Sequence, residues 1–156
     1  MEDLQLLAAE LLQQEQALQF VSFGNALALD AGLRLIEAAK RAGKPIAVDI
    51  SRNGAQLFFH AMAGTTPDHV EWIARKNRVV ERYCHSSLYM GACYRARGTT
   101  FEAHTGLDAR VYAAAGGAFP MLLKGGICIG TITVSGLSQE QDHALVVDVL
   151  RQLAGH

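Results

Sequence analysis

Six histidines, three cysteines and one tryptophan carry most of the chemical reach of this 156-residue chain, and their spacing decides which chemistries stay open. His60, His69, His85, His104, His143 and His156 include no pair four residues apart, so no helix presents the two imidazoles of a zinc hydrolase, and no Cys-x-x-Cys-His heme attachment occurs. His60, in a strand-like run, and His104 are the candidate axial ligands should an iron porphyrin bind, whereas His143, in the first turn of the last helix, reads as a polar group of a pocket or interface. Cys84, Cys93 and Cys128 are odd in number and lack Cys-x-x-Cys spacing, which argues for reduced thiols packed largely as small core hydrophobes. No metal site and no catalytic residue is expected.

Trp72 and Lys76 stand four apart on one helical face with Arg75 beside them, an aromatic ring next to cations that suits a small anionic or planar, carboxylate-bearing ligand. The alternative is a tryptophan packed into the core while both cations stay solvated. Arg75, Lys76, Arg78, Arg82, Arg95 and Arg97 face only Glu81 among the acids of that stretch, giving a solvated helix face or an anion site. Ser86 and Ser87 offer hydroxyls and N–H groups at a helix start, for an anion or for ordinary capping. Ser135 lacks the flanking glycines of a nucleophile elbow, since Thr133 and Leu137 occupy those places. In Lys124-Gly125-Gly126 the lysine precedes the glycines, which makes a turn and not a Walker loop. Glycines 116, 117, 125, 126, 130 and 136 crowd the region around Phe119, Pro120 and Ser135; glycine is disfavoured in strands, so another backbone, a ligand or a neighbouring subunit is expected to come close there.

These residues need elements to position them. Leu4, Leu7, Ala8, Leu11 and Leu12 recur at helical spacing, Phe20 to Phe23 is a short strand candidate, and a helix from Asn25 to Ala42 is expected to bury Leu29, Leu33 and Ile36 and to pair Glu37 with Arg41. Ile46 to Ile50 and Gln56 to Met62 flank Asn53-Gly54, a hairpin turn. Thr66-Pro67-Asp68 announces a helix through Tyr83, which Ser86-Ser87 interrupt or restart. Asp108 to Ala115 is expected to form a short helix. A second hairpin runs from Phe119 to Ser135, and Ser138 with Gln141 caps a last helix whose apolar face holds Leu145, Val146, Val149, Leu150 and Leu153. Two hairpins among helices predict an α+β fold with a mainly antiparallel sheet.

With 14 basic and 15 acidic residues the net charge is −1, which argues against general binding to nucleic acid or to an anionic membrane. The N-terminus has neither a basic flank nor a continuous apolar run, so a cytoplasmic protein of one domain, 1–156, is expected.

Trp72-Ile73-Ala74-Arg75-Lys76, Ser86-Ser87, Gly116-Gly117-Ala118-Phe119-Pro120, Val134-Ser135-Gly136-Leu137 and Asp142-His143 follow one another in an order that resembles the uncharacterised (UPF) branch of the GlcG/HbpS-like heme-degrading-domain family. The resemblance implies a profilin-like domain, a five-stranded sheet flanked by helices, and a homo-oligomer. It leaves the cofactor open, with heme the one it suggests. Where the branch typically has His-Gly-Gly-Ser-Phe-Pro, this chain has Ala115-Gly116-Gly117-Ala118-Phe119-Pro120, and a methyl group can neither ligate metal nor move a proton. The expectation is a cytoplasmic, homo-oligomeric binding or accessory module without turnover. The alternatives are a heme-binding or heme-degrading protein and a protein-interaction adaptor using Arg75, Lys76 and Arg78.

Overall fold

Side-chain alternation along two adjacent strands organises the molecule. A computed structural model describes residues 3–155, so Glu2 and His156 lie outside the described residues. The elements run α1 (Leu4–Ala17), β1 (Gln19–Phe20), α2 (Asn25–Ala42), β2 (Ala47–Arg52), β3 (Ala55–Ala61), α3 (Pro67–Tyr83), α4 (Ser87–Ala96), α5 (Phe101–Thr105), β4 (Ala118–Leu123), β5 (Ile127–Ser135) and α6 (Gln139–Leu153). The five-stranded sheet has the order β1-β4-β5-β2-β3, antiparallel throughout except for the two-residue β1, which pairs parallel with β4. The α+β fold with a mainly antiparallel sheet flanked by helices is therefore what forms.

Antiparallel register places Val48 opposite Val134 and Ile50 opposite Ile132, and these four join Phe119 and Met121 in the main apolar cluster with Ala31, Leu35, Val146 and Leu150 of α2 and α6. The intervening residues belong to the other face, where Asp49 lies opposite Thr133 and Ser51 opposite Thr131. That face is polar and is covered by α3. The Asp49 carboxylate accepts hydrogen bonds from Ser51, from Gln56 at 2.7 Å and from Asn77 of α3 at 3.0 Å, while Asn77 also meets the Thr133 hydroxyl.

The Asn53-Gly54 turn takes φ of 50° and 82°, as the first hairpin requires, and the Ser138–Gln141 capping box starts α6. Four local expectations need correction. Leu29 and Leu33 are 53% and 54% exposed, because α2 turns its small side chains, Ala28, Ala31, Gly32 and Ala39, toward the sheet around Leu35. Close approach sets that face: a Cβ on Gly32 would lie 2.5 Å from the Phe58 ring. The ion pair of α2 is Arg34 with Asp30 at 2.8 Å, in place of Glu37 with Arg41. The first strand stops at Phe20, and Phe23 turns inward to stack edge-on against it at 5.3 Å. The short helix is Phe101–Thr105, capped by Thr100, and Asp108 to Val111 forms a turn whose carbonyls at Ala109 and Val111 accept from Arg75 and Arg78.

No helix among the described residues is long and apolar enough to cross a membrane.

Gly117 is where the glycine-rich segment meets another backbone. Its φ is 138°, and a Cβ there would collide with the Val134 carbonyl oxygen and stand 2.6 Å from Lys76 Nζ. Gly117→Ala should cost at least about 2 kcal/mol in urea unfolding. Gly24→Ala, at an open helix cap with no heavy atom within 4 Å, should cost less than about 1 kcal/mol. Equal losses would show that the close approach at Gly117 is not limiting.

Candidate functional site

Helix α3 starts at Thr66 and presents His69, Trp72 and Lys76 at successive turns of one face. Lys76 reaches down to the polar sheet face, where its Nζ donates to the Val134 carbonyl and to Asp142 Oδ2, both at 3.1 Å, with the residue only 3% exposed. Asp142 comes from the first turn of α6, and its other oxygen accepts the Leu137 N–H at 2.9 Å. Burial pushes the Lys76 ammonium below its ordinary pKa and the Asp142 carboxyl above its own, and each shift is partly offset by the opposite charge.

Above this ion pair opens a cavity of about 400 Å³ lined by Thr66, Asp68, His69, Trp72, Lys76, Ala115, Ser135, Gln139 and Asp142, among others. An ammonium has three N–H groups, and two of those of Lys76 have partners among the described residues, which leaves a third to serve a ligand. Trp72 is 39% exposed and forms one wall, with the Arg75 guanidinium 3.9 Å from its ring centroid. His69 Nδ1 accepts the Thr66 N–H at 2.9 Å, so the neutral ring carries its proton on Nε2. The imidazole therefore contributes a donor and not an iron-ligating lone pair. Donors beside an aromatic wall suit the carboxylate edge of a planar molecule; the cavity does not supply a histidine for the iron of a heme.

Of the residues singled out in the sequence, Trp72, Lys76 and Ser135 meet in this cavity, together with Ala115 at the position of the pattern's histidine. Gly116 and Gly117 lie just behind it, the first donating its N–H to Gln139 Oε1 at 3.0 Å. The others are elsewhere. Ser86 caps α4 through Tyr89 and gives its own N–H to the buried Glu15, while Ser87 fastens the Ala118 N–H at the start of β4. Phe119 and Pro120 are buried within β4. His143 packs on Phe119 and bonds Gln14 at 2.7 Å, inside the protein and away from the cavity. His60 is exposed on the edge strand β3, and His104 is exposed on α5 against Tyr94. The solvated Arg–Lys face is also revised: Lys76 is internal, while Arg75 and Arg78 bind the backbone of the 109–111 turn. None of the cysteines is fully buried; Cys84 is exposed and the other two are half-buried.

Sequence reasoning missed His69, Gln139 and the pairing role of Asp142. The Thr66-to-His69 capping spacing was the available signal for the first, whereas the pairing of Lys76 with Asp142 spans 66 residues and leaves no local mark.

Removing one member of the buried pair strands the other's charge. Lys76→Met alone should destabilise by about 3–5 kcal/mol, and adding Asp142→Leu should restore much of the loss. Urea melts of the two single variants and the double variant measure the coupling, and additive losses would contradict it. A second expectation concerns His143. Its Nε2–H is donated to Gln14, its Nδ1 has no partner among the described residues, and burial pushes it down from 6.5 to about 4. Because the unfolded ring binds protons more readily, its contribution is complete above pH 6.5 and is lost as pH falls toward 4, by about 3 kcal/mol at most. His85, raised above 6.5 chiefly by its hydrogen bond to Glu15, acts oppositely, stabilising at low pH and losing that contribution as pH rises. His143→Gln should flatten the acid limb of a stability–pH curve; an unchanged limb would refute this assignment.

Comparison with known proteins fits this architecture. The family model described as "Haem degrading protein HbpS-like" matches residues 23–151. A UPF0303 protein of Streptomyces coelicolor is 48% identical over 147 residues, covering 94% of this chain and 93% of that protein. Among solved structures, that of the Ybr137w protein is 32% identical with a TM-score of 0.86, covering 95% of this chain and 87% of the other. A PduOC:heme complex shares the fold at 20% identity and a TM-score of 0.67, over 84% and 93% of the two chains. By sequence and by fold, the chain belongs to the HbpS-like haem-degrading protein family, in its UPF0303 branch.

Proposed function

We propose that this protein is a binding module for a planar, carboxylate-bearing ligand, with heme the candidate that its family puts first. The observation carrying the proposal is the Trp72-walled cavity whose donors, the free N–H of Lys76 and the Nε2–H of His69, are fixed by partners on the protein side. A flat ring would stack on Trp72 while its carboxylate replaced water at those donors. Heme supplies ligand exchange and redox chemistry when bound; this chain's residues bind and orient its edge. Affinity would come from stacking and carboxylate contacts, without a histidine–iron bond from the cavity. A role without turnover is supported by Ala115, which places no titratable group where the family pattern has histidine. The proposal keeps a single domain over 1–156, acting in the cytoplasm as a homo-oligomer.

Titration with ferric heme and with iron-free protoporphyrin IX tests this reading. Both should quench the fluorescence of the single tryptophan, Trp72. Trp72→Ala, followed by porphyrin absorbance because the variant lacks the fluorophore, should weaken both about tenfold, the size of one lost aromatic stack. His60→Ala and His104→Ala should leave the heme Soret shift unchanged. Binding of heme alone, abolished by either histidine variant, would overturn the cavity as the site, as would a failure of both porphyrins to bind.

A further inference from the structure

The polar layer under α3 does not end at the Lys76 cavity. At the opposite end of the helix a second cavity, about 160 Å³ in volume, is lined by Ser51, Glu81, Cys84, Cys128 and Thr131, among others. Cys84 is the residue at which α3 stops, held in a left-handed conformation with φ of 57°, and Cys128 is the second residue of β5. The two thiols line the same small cavity and are near enough to influence each other electrostatically. Cys84 is exposed, so a solute can reach it, and Cys128 is half-buried behind it. The remaining cysteine, Cys93, is on α4 and does not line this cavity. The Thr131 hydroxyl is buried here without a partner among the described residues.

We propose that Cys84 and Cys128 form a reversible disulfide that fastens the C-terminal end of α3 to β5, with a small-molecule disulfide such as oxidised glutathione as the oxidant. The Cys84 thiolate attacks one sulfur of oxidised glutathione, which releases one glutathione thiolate and leaves a mixed disulfide on Cys84. Cys128 then loses its proton and attacks Cys84 Sγ, expelling the second glutathione. The protein gives up two protons and two electrons, and one oxidised glutathione becomes two reduced ones. Burial pushes the Cys128 thiol up to about 11, which makes it slow toward dissolved disulfides and casts it as the second, intramolecular nucleophile. The cross-link closes the chain between two elements distant in sequence, a geometry that restricts the unfolded ensemble.

The test uses the full-length chain, incubated with oxidised glutathione, quenched in acid, denatured and titrated with Ellman's reagent. The three thiols of the reduced protein should fall to one, and peptide mapping should find Cys84 joined to Cys128 with no glutathione retained. Dithiothreitol should return all three. Cys93→Ser should still form the bond, whereas Cys84→Ser and Cys128→Ser should not. Of these two, Cys128→Ser should retain glutathione on Cys84. The oxidised wild type should melt higher than the reduced protein, a rise absent from the Cys84→Ser variant. A thiol count that stays at three, a wild type that stops at the mixed disulfide, or a cross-link involving Cys93 would overturn the proposal.

Discussion

The ion pair between Lys76 and Asp142, seated on the Val134 carbonyl, is the contact on which the rest of the arrangement depends. It joins α3, α6 and β5 at one point, and its two charges lie almost wholly out of water. A charge in such a place is tolerable only with its partner and its hydrogen bonds present, so the three elements are held to one relative placement. The glycine at 117 follows from the same requirement, since any side chain there would displace either the ammonium or the Val134 carbonyl. With the ion pair fixed, Lys76 keeps one N–H beyond its two protein partners among the described residues, and the residue lines the cavity.

A two-faced sheet explains why that space is polar. The face toward α2 and α6 is closed by Val48, Ile50, Ile132 and Val134 and their apolar partners. The face toward α3 instead carries Asp49, Thr131, Thr133 and Ser135, all buried. Most of these groups are bonded to one another or to α3, as with Asp49 to Asn77. At the two ends of α3 the packing opens, giving the Trp72 cavity at one end and the dithiol cavity at the other. One interface thus generates both the proposed binding site and the proposed redox site.

Much of this was legible in the sequence because local signals matched local structure. Thr66-Pro67 and Ser138 with Gln141 start helices where expected, and Asn53-Gly54 turns where expected, because caps and tight turns depend on a few adjacent residues. On α2 the large apolar residues Leu29 and Leu33 point away from the sheet, because the close approach of Phe58 requires small residues on the buried side. Asp108 to Ala115 reads locally as a short helix, but arginines from α3 claim the carbonyls of Ala109 and Val111. Site residues divided in the same way. The spacing of Trp72 and Lys76 marked the right helical face, but a lysine on a charged helix looks solvated until α6 brings Asp142 to it. Ser86, Ser87 and His143 look available in the sequence because their partners, Glu15, Ala118 and Gln14 respectively, are remote from them in the chain.

The central claim is that the cavity between Trp72 and the buried ion pair holds the ligand. A crystal structure of the heme-loaded protein tests it most directly. The account predicts flat density against the Trp72 ring, with a carboxylate within hydrogen-bonding distance of Lys76 Nζ and His69 Nε2. Density centred instead on His60 of β3 or His104 of α5, with the Trp72 cavity holding only water, would contradict it.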